Sequence, residues 1–228
     1  MTSWLPEAAS SYAGDIDRLM IFITVIVGIW FLVAEGILIG FALRYRRRAG
    51  HGAKYLPATT LRTMSFVLIP CAIMLGFDLL IDGIAAPVWE KVKIDVPPPD
   101  ELVRIEGQAW QWNFTYPGAD GLLDTADDVS TFNELHVPVD RTIVFELTAR
   151  DVLHSLWVPA FRLKQDAVPG RTIRGWFRAT REGEYPVVCA EICGIAHTLM
   201  AGKLRVESEA EFRQWLEARA SAMAPARN

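Results

Sequence analysis

Cysteine is scarce in this chain, with three in 228 residues, and one of them, Cys71, lies inside an apolar run. That leaves Cys189 and Cys193 as the pair of interest. There is no Cys-x-x-Cys-His motif, so no c-type haem is attached covalently to this chain. An excess of positive charge is also missing. The formal net charge is −4, which argues against nucleic acid as a partner. Internal repeats and low-complexity tracts are absent. The first 18 residues lack the basic start of a standard signal peptide: Arg18 stands alone against Glu7, Asp15 and Asp17. They read as a short polar tail. An acidic loop, 118–128, does not have the glycine and carboxylate spacing of an EF-hand. It reads as a solvated insertion that adds to an acidic surface with Glu101 and Glu134.

Apolar residues are abundant instead, at 51% of the chain. Leu19 to Leu43 carries a single charge, Glu35. A helix of that length, at ~1.5 Å per residue, crosses a ~30 Å hydrocarbon core. The basic run Arg44-Tyr45-Arg46-Arg47-Arg48 follows at once, and between Arg44 and Arg62 there are six bases and no acid. By the positive-inside rule the 44–62 loop is cytoplasmic and the amino terminus is outside. A second, weaker apolar run begins at Met64 and extends to about residue 86, with Pro70 inside it and Asp78 toward its far end. Two crossings return the chain to the outer, periplasmic side. Glu35 and Asp78 are costly against lipid, at roughly 2–3 kcal/mol each on insertion scales, which predicts a partner membrane subunit.

Val96-Pro97-Pro98-Pro99-Asp100 predicts a stiff linker, here bounded as 89–101. Beyond it the pattern changes to short β-branched and aromatic segments bounded by turn residues. The expected strands are Leu102–Gly107, Trp110–Tyr116, Arg141–Thr148, Leu153–Val158, Thr172–Thr180 and Lys203–Val206, which together suggest a sandwich or barrel. Ser208-Glu209-Ala210-Glu211 is a capping box that opens a terminal helix to about Met223. The expected division is an external tail 1–18, a helical hairpin 19–88, the linker 89–101, a β domain 102–207 and a terminal helix and tail 208–228.

The chemistry concentrates in Cys189-Ala190-Glu191-Ile192-Cys193-Gly194-Ile195-Ala196-His197-Thr198-Leu199-Met200. Thiolate, imidazole and thioether are the donors that select copper, zinc or iron–sulfur over magnesium or calcium, and methionine favours copper. A Cys189–Cys193 disulfide is the alternative for the cysteines taken alone. With His197 and Met200 on the same loop the metal reading prevails. Two thiolates on one loop can bridge two coppers, which suggests a dinuclear centre. The further histidine is expected from Asp151-Val152-Leu153-His154-Ser155. Of the other two histidines, His51 lies in the basic loop and His136 in a strand-like segment, and both read as non-ligands.

These motifs resemble subunit II of the haem–copper respiratory oxidases, the cytochrome c oxidases. The resemblance rests on His154-Ser155, on Lys164-Gln165-Asp166-Ala167-Val168-Pro169-Gly170-Arg171, and on the Cys-x-Glu-x-Cys-x-x-x-His-x-x-Met pattern from Cys189 to Met200. It implies an α+β membrane protein: an N-terminal two-helix transmembrane hairpin, then an all-β, cupredoxin-like Greek-key sandwich and a short C-terminal helix. It also implies that Cys189 and Cys193 bridge two copper ions. His154 and Met200 then complete one copper, and His197 and the Glu191 carbonyl complete the other. The Glu191 side chain would reach a magnesium ion shared with subunit I. Trp110, in Trp110-Gln111-Trp112-Asn113-Phe114, matches the exposed tryptophan that takes up electrons from cytochrome c. Trp110 and Trp112 on one strand would share a face unless a bulge intervenes. The Lys164–Arg171 stretch would contact subunit I near the haem propionates, with Arg171 as an anion partner.

The resemblance thus implies an oxidoreductase subunit in the cell membrane. Its partners would be subunits I and III, cytochrome c and lipid, with haem confined to the partner subunit. Oxygen reduction and proton translocation would occur on the partner. Family members often carry a glutamate and a tryptophan early in the second crossing, where this chain has Thr63 and Phe66. That departure keeps open the equivalent subunit of a copper-containing nitric oxide reductase. From another class, a membrane-anchored copper chaperone is the remaining alternative.

Overall fold

The computed structural model describes residues 5–50, 52 and 55–223; His51 lies outside them. The chain divides into two compact units, one formed by residues 17–89 and the other by residues up to 16 together with those from 90 onward.

The first unit is built on two long helices, α1 (Ala13–Arg44) and α2 (Leu61–Trp89). Both are long and apolar enough to cross a membrane. Their large side chains point outward: Phe31, Leu32, Phe66 and Val67 are among the exposed apolar residues. In water that pattern is unfavourable; in hydrocarbon it is the expected one. The helices touch through Trp30 and Phe77, whose ring centroids are 5.8 Å apart. α2 starts earlier than the hydropathy predicts, and Thr63 accounts for it. Thr60 and Thr63 cap the first turn reciprocally, with Thr60 N–H donating to Thr63 Oγ1 at 3.1 Å and Thr63 N–H to Thr60 Oγ1 at 3.3 Å.

The second unit is a two-sheet sandwich. One sheet contains β1 (Glu101–Gln108), β2 (Gln111–Tyr116), β3 (Val129–Phe132), β5 (Thr142–Ala149) and β8 (Ile173–Arg178), in the order β3-β2-β1-β5-β8. The other contains β4 (Glu134–Pro138), β6 (His154–Val158), β7 (Leu163–Ala167), β9 (Gly183–Cys189) and β10 (Ala201–Glu207), in the order β4-β10-β9-β6-β7. Strands β1 and β5 run parallel, as do β4 and β10. Alternation sets the core: Val103 and Ile105 of β1 and Trp112, Phe114 and Tyr116 of β2 point inward. The terminal helix α3 (Glu209–Met223) begins at the expected box. Ser208 N–H donates to Glu211 Oε2 at 3.1 Å and Glu211 N–H to Ser208 Oγ at 3.3 Å. Trp215 of α3 stacks on the ring of His136 at 3.9 Å, which gives that histidine a packing role.

Two expectations change. Trp110 is not in the strand. It sits with Ala109 in a two-residue turn between β1 and β2, after the last paired residues, Gln108 and Gln111. The period-two argument therefore does not apply to it: Trp110 is 40% exposed while Trp112 is fully buried. The second change concerns the segments taken as tail and linker. Ala9, Tyr12 and Ala13 are buried in the sandwich core. Ala9 N–H donates to Ala160 O at 2.9 Å, Ser10 Oγ to Phe161 O at 2.8 Å, and Tyr12 Oη to Trp176 O at 3.2 Å. Burial pushes the Tyr12 phenol well above its usual pKa. On the linker side, Val92 and Val96 pack against the same core, and Lys91 pairs with Asp15 at 2.6 Å.

This strap yields a prediction. Tyr12→Phe removes one buried hydrogen bond and costs about 1 kcal/mol. Tyr12→Ala also empties an aromatic site and costs about 3–5 kcal/mol. Thermal melts of the detergent-solubilised full chain should rank wild type, Tyr12→Phe and Tyr12→Ala in falling order. Equal melting temperatures would mean the strap adds nothing to stability.

Candidate metal centre

The loop that carries the donors joins two neighbouring antiparallel strands. Cys189 ends β9 and Met200 immediately precedes β10. The loop is closed at its base by Cys189 N–H donating to Met200 O at 3.1 Å. It is tied to β6 by Ala190 N–H, which donates to Ser155 O at 2.9 Å. A short helical turn, His197–Leu199, aims the imidazole back toward the thiols. His154 comes from far along the chain, but β6 pairs with β9 at Leu156–Cys189, so it arrives beside the loop. The register of β6 on β7 sets Ser155 opposite Asp166, and Ser155 Oγ donates to Asp166 Oδ1 at 2.8 Å. This bond joins the His-Ser pair to the Lys164–Arg171 segment.

Five side chains predicted from the sequence meet here. The two Sγ atoms are 3.8 Å apart, both as free thiols. Nδ1 of His154 lies 4.0 Å from Cys189 Sγ, and Nδ1 of His197 lies 3.6 Å from Cys193 Sγ. Met200 Sδ is 3.8 Å from Cys193 Sγ. Glu191 contributes its backbone, whose carbonyl oxygen is 3.3 Å from Cys189 Sγ. Its half-buried side chain makes none of these contacts. His154, Cys189, Cys193 and Met200 are buried. Burial pushes the Cys193 thiol up to about 11, and the neighbouring Cys189 sulfur adds to the rise. Two buried thiols, two imidazole Nδ1 atoms and a thioether converge with no disulfide between the cysteines. Such a donor set suits copper.

Trp110 lies against this loop. Its Nε1–H donates to Cys193 O at 3.2 Å. Gly194 has φ +124°, and a Cβ there would come within 3.1 Å of the indole. A residue with a side chain would be both strained and in contact with the ring. Ile192, Ile195 and Leu199 are strongly exposed on the same loop.

Two residues that matter here were not singled out from the sequence. Gly107 of β1 faces His154, and a Cβ there would meet the imidazole Cδ2 at 2.9 Å. Nothing in the sequence marks this close approach. Asp151 reaches Nε2 of His154 with Oδ1 at 2.8 Å. Burial alone would raise the Asp151 pKa, but the Ala109 N–H, His154 and the Val152 N–H together hold it below the usual carboxylate range. Its place three residues before His154 is the signal that could have found it. The acidic loop is a solvated insertion, laced by its own bonds such as Thr125 Oγ1 to Asp127 Oδ1 at 2.7 Å and joined to the sandwich by the Arg104–Asp124 pair.

A cupredoxin-like sandwich bearing a buried thiol, imidazole and thioether cluster, with two helices of membrane-crossing type, defines a membrane-anchored copper domain. The family described as Cytochrome C oxidase subunit II, periplasmic domain, matches residues 102–207. Cytochrome c oxidase subunit 2 of Thermostichus vulcanus is 34% identical, covering 92% of this chain and 77% of that protein. The alternative cytochrome c oxidase subunit 2 of Bradyrhizobium diazoefficiens is 32% identical, covering 94% of this chain and 83% of that one. The crystal structure of the periplasmic domain of subunit II of cytochrome oxidase of Bradyrhizobium japonicum is 30% identical. It superposes with a TM-score of 0.51 and covers 57% of this chain and all of that one. The chain belongs to the cytochrome c oxidase subunit II family, whose members are parts of a haem–copper oxidoreductase complex.

The Gly107 contact predicts that Gly107→Ala displaces the His154 ring. Copper retained per chain after dialysis should fall relative to wild type, with the melting temperature lowered by only a few degrees. Undiminished copper would show that the imidazole has room to move.

Proposed function

We propose that this chain is the electron-accepting subunit of a cytochrome c oxidase, with a dinuclear copper centre on the Cys189–Met200 loop. In this reading Cys189 and Cys193 would hold both ions. His154 and Met200 would complete one, and His197 and the Glu191 carbonyl would complete the other. The observation that carries the reading is the thiol pair, 3.8 Å apart, with an imidazole Nδ1 flanking each sulfur. Copper bound there would supply a one-electron couple. The chain's own part is to hold the donors still. Cys189 and Met200 are fixed by the backbone bond that closes the loop, and His154 by its strand. Donors set by a rigid sandwich move little when the charge at the site changes.

Trp110 is the proposed point of electron uptake from cytochrome c. Its half-exposed indole and its hydrogen bond to the Cys193 carbonyl support this role by linking the surface to a ligand's own peptide. The acidic 118–128 loop, joined through Asp124 to Arg104 at the far end of the β1–β2 hairpin from Trp110, is proposed to add to an acidic surface that steers a basic donor, with Glu134 beside Arg205 and Glu101 paired to Arg213 contributing less. Electrons would leave for the haem of subunit I, where oxygen is reduced and protons are moved. The exposed Ile192, Ile195 and Leu199 suit contact with a partner. The half-buried Glu191 side chain, whose residue meets the thiol cluster through its carbonyl, is the proposed magnesium ligand at the boundary with subunit I. Arg171 is proposed to meet an anionic group there. Glu35 and Asp78, on helices of membrane-crossing type, call for protein rather than lipid as neighbour, as subunits I and III would provide. The sandwich and the amino-terminal segment are placed on the periplasmic side and the basic 44–62 loop in the cytoplasm.

Two variants test this reading. Cys193→Ser in the full chain should abolish the dinuclear centre while the sandwich still melts cooperatively; a copper-to-protein ratio of two with an unchanged paramagnetic resonance spectrum would refute the bridging assignment. Trp110→Ala should leave copper content intact and slow reduction by cytochrome c at least tenfold. Normal stopped-flow kinetics in that variant would remove Trp110 from the pathway.

A further inference from the structure

Asp151 plays no part in the donor set, yet both its oxygens are committed. Oδ1 lies 2.8 Å from His154 Nε2 and also accepts from Val152 N–H at 2.7 Å. Oδ2 accepts from Ala109 N–H at 2.8 Å. Ala109 is the residue before Trp110 in the β1–β2 turn. A parallel backbone bond, Arg150 N–H to Gly107 O at 2.9 Å, ties the loop holding Asp151 to the same hairpin. The loop before β6 is thus anchored to the hairpin by one backbone bond and one carboxylate.

We propose that Asp151 is a positioning residue for the copper centre. Through His154 it fixes which ring nitrogen serves as ligand, and through Ala109 it fixes how Trp110 sits against Cys193. The inference deepens the copper reading above and rests on it. Four observations carry it. The imidazole is fully buried, so no water competes for Nε2. Its Nδ1 faces Cys189. Gly107 walls one side of the ring. The same carboxylate reaches the turn from which the indole extends. An Nε2–H held by a carboxylate leaves Nδ1 as the lone-pair nitrogen and makes it a stronger donor. A stronger donor favours the oxidised, more highly charged metal.

A competing account is that Asp151, whose side chain is 35% exposed, acts only as a surface charge that attracts the electron donor. The two accounts separate cleanly. The full chain in detergent is loaded with copper as wild type, Asp151→Asn and Asp151→Ala. Asparagine retains the shape but cannot accept from both the imidazole and the Ala109 N–H. We expect Asp151→Asn to lose copper to a competing chelator about 10- to 100-fold more readily. Its midpoint potential should shift upward and its copper hyperfine pattern should change. In Asp151→Ala the share of emission that Trp110→Phe removes should also become more accessible to acrylamide. If Asp151→Ala does not fold, Asp151→Asn alone carries the test. Unchanged spectrum, potential and copper retention, with only a weaker salt dependence of reduction by cytochrome c, would overturn the inference in favour of a surface charge. A wild-type chain that holds no copper would overturn the donor-set reading and this inference with it; a wild type that holds copper beside unchanged variants overturns this inference alone.

Discussion

The backbone hydrogen bond from Cys189 N–H to Met200 O is the constraint on which the site depends. It turns the intervening segment into a closed loop on two paired strands, so the spacing of the donors is set by sheet register. β9 and β10 pair from Ala201–Val188 onward, and the bond between Cys189 and Met200 continues that ladder by one step. The side chains of both residues then fall inward, beneath the loop. The remaining donors are brought to them: Cys193 and His197 by the loop's own turns, and His154 by the pairing of β6 with β9. A site assembled in this way costs little to hold, because the strands would pair in that register with or without a metal.

Around this core the protein spends its polar side chains on orientation. Asp151 reaches His154, Ser155 binds Asp166, and the Trp110 indole N–H binds the Cys193 carbonyl. Each is a single bond of ordinary length at a buried or half-buried position, where its loss leaves a group unsatisfied rather than solvated. Glycine complements them at two places near the site where a ring approaches the backbone: Gly107 beneath His154 and Gly194 beneath Trp110. The surface outside this ring of contacts is apolar, through Ile192, Ile195 and Leu199. The polar interactions thus face inward and the exposed apolar ones outward, an arrangement suited to a subunit within a larger complex.

The cluster of candidate donors was legible in the sequence because cysteine, histidine and methionine are rare and four of them, Cys189, Cys193, His197 and Met200, are crowded into one short loop. The capping box at Ser208 was equally plain, since its two residues act locally. A strand that escaped notice did so for a physical reason. β7, Leu163-Lys-Gln-Asp-Ala, is an edge strand whose polar residues answer to neighbours: Gln165 to Lys93 and Asp166 to Ser155. β9, whose end near Val188 the sequence places ahead of the donor loop, contains Pro186, which normally argues against an interior strand. β6 reaches β9 only at Val188 and Cys189, so Pro186 lies where that flank of β9 is unpaired. Trp110 was taken into a strand because hydrophobic pattern alone does not locate a two-residue turn. The contacts of Gly107 with His154 and of Asp151 with Ala109 are tertiary and leave almost no local trace.

The amino-terminal strap has a consequence for how the protein is made. Ser10 binds Phe161 across 151 positions of sequence, and Tyr12 binds Trp176 across 164. These residues therefore cannot pack until segments 151 and 164 positions further along the chain have been made. Contacts of such high sequence separation form late. Closing the sandwich over Ala9 and Tyr12 ties the chain on both sides of the 17–89 unit to one folded body. Until the strap docks, the sandwich stays open over Phe161, Trp176 and Ala179.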